Sequence, residues 1–103
     1  MVELNGSNFY EVINNSDKPV FVDFYATWCG PCKKLVPNFE TFANSNEDVL
    51  SAKADVDTMR DILDKLNILS VPTLVLFSGG KEVKRRSGYM TVNEMNDFVQ
   101  ADA

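Results

Sequence analysis

The run Val20-Phe21-Val22-Asp23-Phe24-Tyr25-Ala26 is the segment that most narrows the folds open to this chain. It is short, rich in Val and aromatic residues, and apolar at odd and even positions alike except at Asp23. Strand side chains alternate between faces, so a strand of this composition is buried on both sides and needs a packed layer above and below it. It is therefore expected to be the central strand of a sheet covered by helices. Asp23 shares one face of that strand with Phe21 and Tyr25. An acid in a strand usually points outward at an edge, but the apolar run argues for burial. A carboxyl in a low-dielectric setting has a raised pKa and can carry a proton near neutral pH.

The other elements follow in quick succession. A brief strand is expected near residues 2–4. Asn8-Phe9-Tyr10-Glu11 offers an N-cap with an acid three residues later, and Phe9, Val12 and Ile13 fall at helical spacing. Pro31 lies in the first turn of a second helix, where a missing amide hydrogen costs nothing, and Leu35, Phe39, Phe42 and Ala43 continue the period. Pro37, further in, is expected to kink it. Residues 49–56 read as a strand, and Thr58-x-x-Asp61 reads as the cap of a helix whose inner face is Met59, Ile62, Leu63 and Leu66. Residues 73–77, the Gly79-Gly80 turn and residues 83–87 predict an antiparallel hairpin. Thr91-x-x-Glu94 caps a last helix with Met95, Phe98 and Val99 facing inward. The order β-α-β-α-β-α-β-β-α implies an α/β fold with a mixed central sheet flanked by helices on both faces.

At 103 residues and 45% hydrophobic, the chain suits a single domain, 1–103, because two domains of ordinary size do not fit. No repeat or linker divides it. Fifteen acids against ten bases give a net charge of -5, so there is no basic surface for nucleic acid or anionic lipid. No apolar run reaches membrane-spanning length and the first residues do not resemble a signal peptide, so a cytoplasmic location is expected. There is no histidine. That removes Ser/His/Asp and Cys/His nucleophilic arrangements and the commonest zinc ligand.

Cys29 and Cys32 are the chain's two cysteines, three positions apart in Trp28-Cys29-Gly30-Pro31-Cys32. Helical residues three apart have Cβ atoms roughly 5–6 Å from each other, and a disulfide needs Cα atoms about 4.4–6.8 Å apart, so this pair can open and close with little backbone movement. Free amide hydrogens and the positive end of the helix dipole favour a thiolate at Cys29, the expected nucleophile, and thiols in such positions titrate at roughly 3.5–7.5 against about 8.5 when unperturbed. Lowering the pKa to about 7 raises the thiolate fraction roughly 16-fold at neutral pH and lowers intrinsic nucleophilicity about 5-fold, for a net gain of about threefold. The larger advantage is that Cys32 is tethered, so resolution of a mixed disulfide is intramolecular. Cys32 must first lose its proton, and Asp23 on the preceding strand is placed to take it. Two other readings stand beside redox catalysis: a pair of buried core thiols, which the Gly30-Pro31 helix start argues against, and half of a zinc site, for which further Cys or His ligands are missing.

The segments VDFYATWCGPCK at 22–33, AKADVD at 52–57 and VPTLVLF at 71–77, with Gly79-Gly80 and Gly88, resemble the thioredoxin family along essentially the whole chain. The resemblance implies that Cys29 attacks a protein disulfide, Cys32 resolves it, Asp23 accepts the proton and Lys53 modulates the buried acid. It further implies a cis peptide bond before Pro72 and a flat docking surface built from Trp28, Gly30, Pro31, Val71, Pro72 and Gly88. Read from the residues alone, Lys53 is a solvated strand residue, Trp28 a core residue, Pro72 a strand boundary and Gly88 a turn. The Gly-Pro pair between the cysteines looks like the reducing branch of the family. Tyr25 stands where many members have Trp, and Tyr89 and Met90 follow Gly88 where a smaller residue is common, which bears on partner preference.

The resemblance thus implies a protein-disulfide reductase that binds no cofactor or metal, acts as a monomer and is re-reduced by thioredoxin reductase. Peroxiredoxin and ribonucleotide reductase are expected among its clients. An oxidase or isomerase of the same fold, and a binding scaffold in which thiol exchange is incidental, are the alternatives.

Overall fold

The computed structural model describes residues 1–100. The strands are β1 (Val2–Leu4), β2 (Val20–Tyr25), β3 (Leu50–Asp55), β4 (Thr73–Ser78) and β5 (Lys81–Ser87), and the helices are α1 (Phe9–Asn15), α2 (Gly30–Ser45), α3 (Arg60–Leu66) and α4 (Val92–Gln100). They form one five-stranded sheet in the order β1-β3-β2-β4-β5. β2 is central, as its two apolar faces require. It runs parallel to β3, and β3 parallel to β1, whereas β4 is antiparallel to β2 and to β5. The expected mixed sheet with helices on both faces is the fold observed.

The two faces of β2 build two cores. Val20, Val22 and Phe24 pack with Phe9 and Ile13 of α1 and Ile62 of α3. Phe21, on the other face, packs with Leu35, Phe39 and Phe42 of α2 and Met95 of α4. Ring centroids of Phe39, Phe42 and Phe98 lie 5.6, 5.1 and 5.8 Å from that of Phe21, the range in which aromatic pairs attract beyond simple burial. Pro37 sits inside α2 and offers no N–H to the carbonyl of Lys33, yet the helix continues to Ser45.

Local punctuation is partly as the sequence suggests. Gly79 and Gly80, at φ +61° and +82°, turn the β4–β5 hairpin, a conformation open to glycine at little cost. Thr91 and Glu94 form a reciprocal cap: the Glu94 amide donates to Thr91 Oγ1 at 3.1 Å and the Thr91 amide to Glu94 Oε1 at 2.9 Å. Thr91→Ala is expected to lower stability by about 1 kcal/mol, read as an earlier urea midpoint at unchanged slope.

Two expected caps do not form. Asn8 precedes α1 but caps nothing, because its Oδ1 accepts the Asn5 amide and its Nδ2 donates to the Glu3 carbonyl. Thr58 donates its hydroxyl to the Asp55 carbonyl and closes a 3-10 turn, Val56–Thr58, so α3 starts after Met59 and the Thr58–Asp61 box is absent. Arg85 on β5 instead ties the far end of α3, donating to the carbonyls of Leu66 and Asn67 at 2.6 and 3.0 Å. Among the described residues, no helix is long and apolar enough to cross a membrane.

Candidate active site

The end of β2 delivers the chain to the start of α2, and both cysteines sit at that junction. Cys29 is the N-cap residue of α2, with extended backbone, and Gly30 and Pro31 occupy the first helical positions. Here an N-cap oxygen is replaced by sulfur: Cys29 Sγ accepts the Cys32 backbone N–H at 3.2 Å. An otherwise orphaned helix-start donor is thereby aimed at the sulfur. The two sulfurs are joined in a disulfide, with Cα atoms 5.3 Å apart, so this is the oxidised form. Both cysteines are buried, Cys32 slightly deeper than Cys29.

The loop before β4 meets the disulfide from the side. The Val71–Pro72 bond is cis, and the Val71 carbonyl oxygen lies 3.8 Å from Cys29 Sγ. A disulfide sulfur has no hydrogen to donate, so this is a contact and not a hydrogen bond. The Gly88 amide donates to the Pro72 carbonyl at 2.9 Å and holds the end of β5 against this loop. Gly88 is at φ +97° with open space where a Cβ would project, so glycine is required there by backbone conformation and not by crowding.

Trp28 is 69% exposed, which excludes the core role its size suggests, and its Nε1 donates to Asp57 Oδ2 at 3.1 Å. The indole and Val71 border a groove of about 430 Å³ whose other walls include Arg60, Leu63 and Leu69. Leu69 is 93% exposed, an apolar side chain in solvent two residues before Val71. Neither Asp57 nor Leu69 stands out in the sequence as a site residue. The one available signal is Leu69's position as an apolar residue in the turn before Pro72. Past Gly88, Tyr89 is exposed, with its hydroxyl accepting from Asn38 Nδ2 at 2.8 Å. Met90 does not share that surface: it is buried against α2 and α4 and has no face for a partner, contrary to the expectation attached to it.

Asp23 is 1% exposed, not an edge residue, and its Oδ1 has no hydrogen-bond partner among the described residues. Burial pushes its carboxyl up from 3.8 to about 7; Lys53 opposes that rise and Glu3 adds to it. The register explains both influences, because Lys53 lies directly across from Asp23 on β3 and Glu3 directly across from Lys53 on β1. Lys53 is thus half-buried beside the acid and not simply a solvated strand residue. Its ammonium rests 5.1 Å from the Tyr25 ring centroid. A cavity of about 240 Å³, lined by Tyr25, Ala26, Cys32, Lys33, Val36 and Lys53, opens beside the deeper sulfur. Its walls are mainly apolar, with Lys33 and Lys53 as the charged members, and its volume is enough to hold water.

Comparison with known proteins matches the geometry. The Thioredoxin family profile covers residues 1–101. A thioredoxin of Alicyclobacillus acidocaldarius is 43% identical over 93 residues, covering 89% of this chain and 88% of that protein. Thioredoxin-2 of Saccharomyces cerevisiae is 44% identical over 84 residues, 82% of this chain and 81% of the yeast protein. A bifunctional thioredoxin reductase/thioredoxin of Mycobacterium leprae is 43% identical over 88 residues, which are 84% of this chain but 19% of that longer protein. The profile spans the strands, the cysteine turn and the loop before β4 together, and with these relatives it shows that the chain belongs to the thioredoxin family.

Proposed function

We propose that this thiol–disulfide oxidoreductase reduces protein disulfides with Cys29 as the attacking sulfur, Cys32 as the resolving sulfur and Asp23 as the acceptor of the Cys32 proton. In the reduced form, the Cys29 thiolate attacks one sulfur of a client disulfide; a mixed disulfide forms and the client's other sulfur leaves as thiolate. Cys32 then gives its proton to Asp23, directly or through water, and attacks Cys29 Sγ. The Cys29–Cys32 bond forms, the mixed disulfide breaks, and two electrons have passed to the client.

The observation that carries this reading is Cys29 Sγ acting as the N-cap acceptor of α2, since a donor aimed at that sulfur stabilises it as a thiolate. Burial supports the role of Asp23, whose raised pKa suits proton exchange near neutrality. Lys53, across the register, limits that rise. Trp28, Gly30, Pro31, Val71 and Gly88 form the docking surface, with Pro72 buried beneath it, and an extended client segment pairs with the backbone of Val71. The chain acts as a monomer with a single domain, 1–103, and one continuous sheet through all five strands supports the single domain. Family membership implies a thioredoxin reductase as electron donor, and the Mycobacterium leprae relative carries both names in one polypeptide. Peroxiredoxin and ribonucleotide reductase are proposed clients, and a cytoplasmic site of action fits a dithiol that must be kept reduced.

The test is insulin reduction driven by NADPH and thioredoxin reductase, followed as NADPH oxidation. Turnover that depends on this protein is expected. Folded protein that gives no turnover with several reductases, although dithiothreitol opens its disulfide, overturns the proposal.

A further inference from the structure

Three strands bring a second layer of charged and polar groups to the solvent side of Asp23. Glu3 on β1, Lys53 on β3 and Asp23 on β2 form one row across the sheet, by register. Tyr25, two residues beyond Asp23 on the same face, donates its hydroxyl to Glu3 Oε2 at 3.1 Å and presents its ring to the Lys53 ammonium. One tyrosine therefore touches both ions, holding the carboxylate by its hydroxyl and the cation by its face. We propose that Glu3 and Tyr25 are positioning residues: the Glu3 carboxylate, held by the Tyr25 hydroxyl in the row with Lys53, offsets the Lys53 ammonium and so sets how readily Asp23 takes the proton of Cys32. The inference rests on the reading of Asp23 as proton acceptor.

The surroundings support it. Among the described residues, the charged or titratable groups facing the row are Glu3 from β1, Lys53 and Asp55 from β3, Tyr25 from β2 and Lys33 from α2, while β4 contributes the apolar Leu74 opposite Asp23. Asp55 is committed elsewhere, accepting the Asp57 amide at 3.0 Å. Burial and the bond to Glu3 push the Tyr25 phenol up to about 12, so its hydroxyl remains a donor throughout the working pH range. Glu3 is exposed on the edge strand β1, so Glu3→Gln is expected to leave the packing intact.

The experiment is a carbon-13 NMR titration of the Asp23 carboxyl in wild type, Glu3→Gln and Tyr25→Phe, each at low salt and at ~1 M salt. Glu3→Gln is expected to lower the Asp23 midpoint by on the order of half a unit at low salt. Tyr25→Phe, which keeps a ring beneath Lys53 and frees the carboxylate, is expected to shift it the same way by less. Both shifts should shrink at ~1 M salt, because Glu3 is exposed and its field is screened. The acid limb of the pH profile for mixed-disulfide resolution should move down with the midpoint. A midpoint unchanged in Glu3→Gln overturns the proposal, as does a shift insensitive to salt or a rate profile that stays put while the midpoint moves. Asp23→Asn in the same resolution assay tests the underlying reading separately: an unchanged rate there rejects Asp23 as acceptor, whatever the titrations give.

Discussion

Cys32→Ser is expected to attack client disulfides as readily as wild type and then to stop, accumulating a mixed disulfide through Cys29. The physical reason is the tether. Cys32 is held one helical turn from Cys29, with Cα atoms 5.3 Å apart, and well-oriented intramolecular reactions reach effective concentrations far above any millimolar external thiol. Removing Cys32 leaves only that external thiol, so turnover should fall by on the order of a thousandfold or more. Cys29→Ser is expected to lose attack altogether, since the serine hydroxyl is scarcely ionised at neutral pH. Intact-mass measurement of the trapped adduct, alongside NADPH oxidation with insulin, checks both. Wild-type turnover by Cys32→Ser would remove Cys32 from the mechanism. An adduct on Cys29→Ser formed through Cys32 would reverse the assigned roles. A Cys29→Ser plus Cys32→Ser protein that retains full activity would leave the scaffold reading standing.

Asp23→Asn should stabilise the oxidised protein above neutral pH while slowing resolution. Its carboxyl titrates at about 7 in the folded chain against 3.8 for the ordinary group, with burial as the main cause. Between those values the folded state binds the proton and the unfolded state has released it, so wild-type stability falls as pH rises through this window. Below about pH 4 both states are protonated and the cost is absent; above about pH 7 it is complete. The size is on the order of 4 kcal/mol, a large fraction of the stability of a domain of this length. Asn has nearly the same shape and no charge, so urea unfolding of wild type and variant should nearly coincide at low pH and diverge in favour of the variant at high pH. A constant difference across the pH range would mean that the carboxyl does not titrate as its burial dictates. A buried acid kept at such a cost, on a strand that could be wholly apolar, supports the proposed role of Asp23 as proton acceptor.

Features that depend on neighbours in sequence were legible before the fold was known. The Gly79-Gly80 turn, the Thr91–Glu94 cap and the Cys29–Cys32 spacing are each satisfied within a few residues, and the double-faced apolarity of β2 is legible in the strand itself although its packing partners are distant. Failures occurred where a local motif met competition. Asn8 has the right side chain for a cap, but the Asn5 amide and the Glu3 carbonyl occupy it. Thr58 is likewise drawn to the Asp55 carbonyl. Tyr89 and Met90 are adjacent and similarly apolar in sequence, yet one faces solvent and the other lies between α2 and α4.

The sequence by itself determined the layered α/β architecture, because a strand apolar on both faces has no other stable environment, and it determined the dithiol chemistry, because two cysteines at one helix start can react with each other whatever surrounds them. Only the tertiary structure decided which groups surround the cysteine pair. Glu3, Asp23 and Lys53 are far apart along the chain and become one row only through the β1–β3–β2 register. Val71 reaches Cys29 from 42 residues away, and Trp28 finds Asp57 from 29. Coulomb interactions and burial depend on distance in space, and that distance is fixed by strand pairing and not by position along the chain.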